Sequence, residues 1–195
     1  SGIEKATEGD QRTPLGVYFI TSRLDPATLK DFYGAGALPI NYPNPLDQSR
    51  GKTGSGIWLH GTPPDQFSRA PLATDGCVAL ANPDLERILR TVEPRSTPVV
   101  IAQKLQWVQA QSMQAERQSF ETVLNAWRTA KSNGDMNRLL GFYAPDFQSY
   151  KKKPLGEWAA VLQAEAQALK GRTVHLKDKA YLRWTDSADT MVVTF

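Results

Sequence analysis

The sequence predicts a mainly β domain over residues 1–102 and an α+β domain over residues 103–195. The first half is rich in Gly and Pro, and turn residues separate its short apolar runs, a pattern that is typical of small β domains. In the second half the composition shifts towards Ala, Gln, Glu and Lys, and apolar residues recur at helical spacing. We therefore place the domain boundary between Ala102 and Ser112.

Three strands and one helix are predicted in the first half. Apolar runs bounded by turn residues, at residues 17–20, 57–59 and 99–101, predict the strands. The helix interrupts them, with Asn82 as its predicted N-cap and Pro83 in its first turn. The apolar residues of this helix fall on one face and are Leu85, Ile88, Leu89 and Val92.

The second half predicts three helices followed by two strands. The first is a long amphipathic helix that ends near Gly134. Its apolar residues repeat at helical spacing and are Phe120, Val123, Leu124 and Trp127. The remaining predicted elements are helices at residues 136–142 and 154–169 and strands at residues 173–184 and 190–195.

Composition and charge argue against several functional classes. The 195 residues carry a net charge of +3, and their Lys and Arg residues are scattered, so nucleic-acid binding is not predicted. No apolar run approaches the roughly 18 residues of a membrane-spanning helix, and the N-terminus lacks a signal-peptide pattern. A single cysteine, Cys77, cannot form an internal disulfide or a zinc site with several thiolates. Gly51-Lys52-Thr53 lacks the earlier glycine of a phosphate-binding loop, so nucleotide binding is not predicted. The sequence predicts no metal and no cofactor.

His60 and Cys77 are the candidate catalytic residues. His60 ends a predicted strand, and Gly76 lets the chain turn sharply just before Cys77. A neighbouring imidazole would lower the pKa of the thiol and create a nucleophile. The backbone N–H groups of the turn at Gly76 could also converge on a developing oxyanion.

Three sequence blocks resemble the YkuD-type L,D-transpeptidase family. Residues 9–18 are similar to the family's Gly-Asp-x-x-Thr-Pro-x-Gly-x-Tyr segment. Residues 60–62 are similar to its histidine block, and residues 74–77 to its Ser/Thr-x-Gly-Cys turn. The resemblance covers residues 1–102 and implies a YkuD-like catalytic domain that lacks its N-terminal strands.

The resemblance implies a peptidoglycan substrate and a role for each residue of the site. Cys77 is the implied nucleophile, and His60 is the implied general base and acid. The backbone carbonyl of Gly61 is implied to orient the His60 ring, and Gly76 to donate a backbone N–H to the oxyanion. The implied substrate contacts are Trp58, Thr62, Thr74 and Asp75.

Two positions depart from the family pattern. Asp75 stands where many members have Arg or His, and Ala79 stands where many have Arg. An acidic side chain beside the thiol disfavours the thiolate, and a substrate carboxylate loses a natural partner when the arginine is missing. We therefore expect a substrate preference that differs from that of most members.

Three functions are compatible with this resemblance. We expect an L,D-carboxypeptidase that releases terminal D-alanine from tetrapeptide stems, with a role in cell-wall biogenesis and cell shape. The first alternative is an L,D-transpeptidase that forms or reverses peptidoglycan cross-links or lipoprotein linkages. The second is a non-catalytic cell-wall binding protein. A peptidoglycan substrate implies a periplasmic or otherwise exported location.

The second half resembles the nuclear-transport-factor-like (SnoaL-type) domains. This resemblance implies a cone-shaped α+β domain that lacks its last strands, and a role in binding a protein or lipoprotein partner. The residues that carry it are Phe120, Ala126-Trp127, Ala130, Gly134-Asp135, Tyr143 and Asp146-Phe147.

Overall fold

The computed structural model describes nearly the whole chain, in four ranges: residues 2–149, 151–169, 171–184 and 190–195. The chain divides into two compact units at the link between Lys104 and Leu105. Each unit has its own cluster of buried apolar side chains.

Short strands form the sheets of the first unit. β5 is the central strand of a three-stranded sheet, where it pairs antiparallel with β4 and parallel with β6. β3 pairs antiparallel with β7, and β1 pairs parallel with β2. The strands are β1 (Gly2–Ile3), β2 (Arg12–Thr13), β3 (Gly16–Phe19), β4 (Ala37–Pro39), β5 (Trp58–His60), β6 (Val78–Ala79) and β7 (Pro98–Ile101).

The three strands that the sequence predicts correspond to β3, β5 and β7. The strands β1, β2, β4 and β6 were not predicted, and each has only two or three residues. The first unit is nevertheless sheet with some helices, which confirms the predicted fold class for this half.

Two α-helices lie between the strands, α1 (Pro45–Ser49) and α2 (Asn82–Thr91). The prediction that Asn82 caps α2 is wrong. The N-cap is Ala81, and no side chain hydrogen-bonds to the first turn of this helix. The Asn82 amide has other partners, which lie beside the candidate active site.

Two clusters of buried apolar side chains fill the first unit. Leu59 and Val99 pack against both clusters, so the middle of β5 is anchored in the core. The apolar face predicted for α2 is confirmed, since Leu85 and Val92 are buried in the second cluster. The first cluster consists of Tyr18, Ile40, Tyr42 and Ile57, and the second of Ile20, Leu38, Leu85 and Val92.

The second unit contains three helices and one antiparallel strand pair. Its elements are α3 (Gln114–Asn133), α4 (Met136–Leu140), α5 (Leu155–Ala168), β8 (Ala180–Trp184) and β9 (Thr190–Thr194). The helices appear where the apolar periodicity predicts them, whereas the predicted strand at 173–184 begins only at Ala180. The arrangement of these elements as a nuclear-transport-factor-like cone stays a prediction.

Local signals set the helix ends in the second unit. α3 stops at Gly134, whose φ of 70° is the left-handed conformation that glycine adopts at helix C-termini. Asp135 then caps α4, because its side chain accepts a hydrogen bond from the Arg138 backbone N–H. The helices pack through buried side chains that are Ala130, Leu139, Trp158 and Leu162.

A cavity of about 520 Å³ opens in the second unit. Its lining combines the aromatic rings of Trp127 and Phe195 with the cationic side chains of Lys131 and Lys177. His175, a residue to which the sequence assigns no role, also lines it.

Among the residues that the structure describes, no helix is both long enough and apolar enough to cross a membrane.

Replacement of Leu85 by alanine is expected to lower the free energy of unfolding of the first unit by about 2–5 kcal/mol, since it leaves a cavity in the second cluster. The matched control is Leu46→Ala, because this leucine is 43% exposed. Native-state hydrogen exchange of the amides in β3 and β5 measures both changes. An equal decrease in the free energy of unfolding for the two substitutions would contradict the assignment of Leu85 to the core.

Candidate active site

The parallel pairing of β5 and β6 brings the two candidate catalytic residues together. His60 pairs with Ala79 in this ladder. Trp58 is two residues before His60, and Cys77 is two residues before Ala79, so the same register places Cys77 beside Trp58. The Cys77 thiol makes a hydrogen bond with the Trp58 backbone. Side chains two positions apart on a strand point to the same face, and paired neighbours share that face. His60 at the end of β5 and Cys77 directly before β6 therefore lie on one face of the sheet.

The residue that follows His60 fixes the orientation of its ring. The side chain is buried, at 2% exposure, and its Nδ1 lies 2.7 Å from the carbonyl oxygen of Gly61. A carbonyl oxygen can only accept a hydrogen bond, so Nδ1 carries the proton and Nε2 keeps the lone pair of a base. The rings of Phe32 and Tyr33 flank the imidazole, with centroids 5.9 and 5.2 Å from its own. This is the backbone contact that the family resemblance implies for Gly61.

Cys77 follows a tight turn. Its Sγ donates to the Gly56 carbonyl oxygen at 3.4 Å, and the Thr74 hydroxyl donates to the Cys77 carbonyl oxygen at 2.6 Å. Gly76 has a φ of +110°, and a Cβ at this position would lie 2.6 Å from the carbonyl oxygen of Arg12. Both features require glycine. The role of Gly76 as a backbone donor to an oxyanion stays a prediction.

The environment of His60 keeps its imidazole neutral. Burial lowers the pKa of His60, because a charged ring would lose its hydration. The hydrogen bond with Gly61 acts in the opposite direction and raises the pKa, and the positive charge of Arg69 lowers it. The net shift is downward, so His60 is a free base at neutral pH.

The environment of Cys77 favours the neutral thiol. Burial raises the pKa of Cys77, the hydrogen bond with the Trp58 backbone lowers it, and the carboxylate of Asp75 raises it. The net shift is upward, so the expectation that His60 lowers the thiol pKa is wrong. In a desolvated site an imidazolium–thiolate pair is penalised twice, once for each charge. Both shifts therefore favour the neutral forms of the two side chains.

The Asn82 amide holds the turn that follows His60. Its Oδ1 accepts hydrogen bonds from the backbone N–H groups of Ala35 and Thr62, at 2.9 and 3.2 Å, and its Nδ2 donates to the Thr62 carbonyl oxygen at 2.9 Å. A Cβ at Gly61 would lie 2.1 Å from Oδ1. One side chain thus fixes the backbone directly after the carbonyl that orients His60 and ties it to Ala35.

The four implied substrate contacts have different surroundings. Thr62 is fully buried, and its hydroxyl donates to the Gln66 carbonyl oxygen, so the structure contradicts a substrate contact by this side chain. Trp58 is half-buried on the face that carries His60. Thr74 holds the cysteine turn, and Asp75 is exposed beside it. Substrate contacts by Trp58, Thr74 and Asp75 stay predictions.

Three residues of the site had no detectable signal in the sequence. Phe32 and Tyr33 form the aromatic wall beside His60, although they lie 28 and 27 positions earlier in the chain. Arg69 lies 4.2 Å above the centre of the Phe32 ring. Only tertiary contacts bring these residues to the site, and no motif marks them.

The part of the chain that the structure describes contains no group of three or more His, Cys, Asp or Glu side chains placed to hold a metal ion.

The first unit carries a candidate cysteine–histidine site, and the comparison with family models identifies its class. The L,D-transpeptidase catalytic domain (YkuD) matches residues 1–101, which is more than half of the chain. The protein therefore belongs to the YkuD L,D-transpeptidase family. No protein of curated function matches the sequence.

Two solved structures resemble the chain over most of its length. Bd1075 from Bdellovibrio bacteriovorus is 29% identical, with a TM-score of 0.66 over 89% of this chain and 62% of that protein. The helical cell shape determining protein Pgp2 from Campylobacter jejuni is 27% identical, with a TM-score of 0.60 over 98% of this chain and 72% of that one. The chain thus spans somewhat less than two thirds of the Bdellovibrio protein.

Replacement of Gly61 by alanine is expected to displace the turn after His60, because the new Cβ would also lie 2.9 Å from backbone atoms of Tyr33 and Ala35. Overpacking of this kind lowers the free energy of unfolding by about 1–3 kcal/mol. Hydrogen exchange of the amides of residues 60–62 should accelerate. The control is Gly156→Ala, where no atom lies within 4 Å of the new Cβ; equal effects at the two glycines would contradict the close approach at Gly61.

The rate of Cys77 alkylation by iodoacetamide is expected to rise with pH about a midpoint above the usual thiol pKa, since burial raises the pKa of this group. Asp75→Asn should lower the midpoint, because it removes a negative charge that opposes the thiolate. Glu86→Gln, which removes an exposed charge on α2, is the matched control and should leave the midpoint unchanged. Intact-mass spectrometry measures each rate, and a midpoint below pH 7 would instead indicate an imidazolium–thiolate pair.

Proposed function

We propose that this protein is an L,D-carboxypeptidase that releases the terminal D-alanine from peptidoglycan tetrapeptide stems. The observation that carries the proposal is the shared sheet face of His60 and Cys77, together with the contact that leaves His60 Nε2 free as a base. Membership of the L,D-transpeptidase family supports the substrate class. The site residues and the reaction are both part of the proposal.

The first half of the proposed reaction forms a thioester. Sγ of Cys77 attacks the carbonyl carbon of the bond between the stem's diamino acid and D-alanine, and the thiol proton passes to Nε2 of His60. Backbone N–H groups at Gly76 stabilise the oxyanion of the tetrahedral intermediate. The C–N bond then breaks, His60 returns the proton to the leaving nitrogen, and D-alanine departs. The stem remains bound to Cys77 through its new C–S bond.

The second half of the reaction needs only water. A water molecule attacks the thioester carbonyl while His60 accepts one of its protons, the C–S bond breaks, and the sulfur recovers a proton from His60. The lowered pKa of His60 supports this step, because the imidazole is again a free base once D-alanine has left. A transpeptidase would use an amine of a second stem in place of water. Asp75 and Ala79 stand where many family members carry a cation, and this less cationic rim favours hydrolysis in the proposal.

The proposed substrate also sets the proposed location and role. Peptidoglycan lies outside the cytoplasmic membrane, so we place the working enzyme in the periplasm or an equivalent exported position. The similar Pgp2 protein is a determinant of helical cell shape. We therefore propose that stem trimming by this protein contributes to cell shape. Binding of a protein or lipoprotein partner by the second unit stays a prediction.

Mass spectrometry of purified disaccharide-tetrapeptide, incubated with the protein, tests the reaction. We expect conversion to the disaccharide-tripeptide and free D-alanine in equal amounts. Cys77→Ala should abolish the product because it removes the nucleophile, and His60→Gln should lower kcat by about 10²–10⁴-fold because it removes the base. Glu86→Gln on α2 is the control that should leave the rate unchanged.

Each other outcome of this incubation would favour a different function. A cross-linked dimer in place of the tripeptide would replace the carboxypeptidase with a transpeptidase. An unchanged substrate, together with binding to peptidoglycan, would favour the non-catalytic cell-wall protein. Full activity of the Cys77→Ala variant would exclude the proposed site.

A further inference from the structure

Arg69 is a cationic side chain beside the catalytic pair, and the chemistry proposed above does not use it. It lies in the exposed loop between Thr62 and Cys77. Its guanidinium carbon is 4.2 Å from the centre of the Phe32 ring, and that ring lies 5.9 Å from the ring of His60. Two ring contacts thus link the guanidinium to the catalytic base.

The guanidinium of Arg69 has an unused hydrogen-bonding edge. Its Nη1 donates to the Ala73 carbonyl oxygen at 3.2 Å. Its Nε is shielded from water and has no hydrogen-bond partner, and no Asp or Glu oxygen in the described part of the chain lies within 4.0 Å of the group. An arginine side chain presents Nε and Nη2 on one edge as a fork that fits a carboxylate. The Nε of this edge therefore lacks a partner among the residues that the structure describes.

We propose that Arg69 binds the terminal carboxylate of the stem peptide and thereby selects substrates with a free C-terminus. The inference rests on the proposed function, since it names a specificity residue for that site. Nε is covered in this conformation, so the exposed loop has to shift when the carboxylate arrives. The resulting salt bridge would give the buried donor its missing partner.

The position of the carboxylate in the substrate agrees with this role. The residue that leaves is the last one, so its carboxylate is one residue, or about 3.8 Å in Cα spacing, from the scissile bond. Its partner must therefore belong to the wall of the catalytic site. Ala79 supplies no cation where many family members have arginine. Arg69 supplies one from a different segment, the loop that leads to Cys77.

Phe32 strengthens the proposed contact. An aromatic face beneath a guanidinium limits its motion and excludes water from one side of the planar group. A carboxylate bound at the edge of a partly desolvated guanidinium is held more firmly than one at a fully hydrated lysine. The same packing keeps Arg69 beside His60, whose pKa its charge lowers.

Isothermal titration of the full-length Cys77→Ala variant tests the inference without requiring turnover. The two ligands are disaccharide-tetrapeptide with a free C-terminal carboxylate and the same compound with a C-terminal amide. We expect the free acid to bind about ten- to hundredfold more tightly. Adding the Arg69→Gln substitution should abolish this difference, because it lowers the affinity for the free acid alone. Arg69→Lys should give an intermediate affinity, because it keeps the charge and loses the fork.

Arg87→Gln is the matched control, since this arginine is exposed on α2, and it should leave both affinities unchanged. Equal affinity for acid and amide, or no measurable binding of the acid, would overturn the inference. Equal weakening of both ligands by Arg69→Gln would also overturn it, because that result indicates a structural role in the loop. A wild-type protein that releases no D-alanine would refute the proposed function, whereas the affinity difference is measured independently of turnover.

Discussion

The parallel pairing of β5 with β6 is the constraint on which the candidate site depends. A slip of one residue in this register would move Cys77 to the opposite face of the sheet from His60. β5 and β6 are too short to hold this register by themselves, so contacts with other parts of the first unit fix it. Leu59 anchors β5 in both apolar clusters, Gly76 fits against the Arg12 backbone, and the Asn82 amide bonds the turn after His60.

Desolvation sets the chemistry of the pair that this register creates. It moves the pKa of His60 downward and that of Cys77 upward, so the two groups rest as a neutral base and a neutral thiol. Two neighbouring charges act in the same directions. The carboxylate of Asp75 raises the pKa of Cys77, and the guanidinium of Arg69 lowers the pKa of His60. Both neighbours therefore reinforce the neutral state that burial imposes. In this neutral state the Cys77 thiol is less reactive than a thiolate would be.

The amount of structure that the sequence reveals depends on the length of each element. α3 shows an apolar repeat from Phe120 to Trp127 and a glycine stop, so its presence and its C-terminus are evident from neighbouring residues. α2 shows its apolar face clearly, but the role of Asn82 is misassigned, because an amide before a proline looks like a cap when its distant partners are unknown. β1, β4 and β6 leave no pattern, since partners elsewhere in the chain stabilise them.

The family, the candidate nucleophile and base, and the helices of the second unit could all be predicted from the sequence alone. Each of these depends on residues that lie close together in the chain. Only the tertiary structure decided that Thr62 is buried, that Asn82 holds the turn after His60, and that Phe32 and Arg69 belong to the site. The physical reason is that burial, pKa and hydrogen bonding are set by whatever packs around a group. Phe32 and Asn82 come from segments twenty or more positions away from His60, whose approach no local pattern encodes.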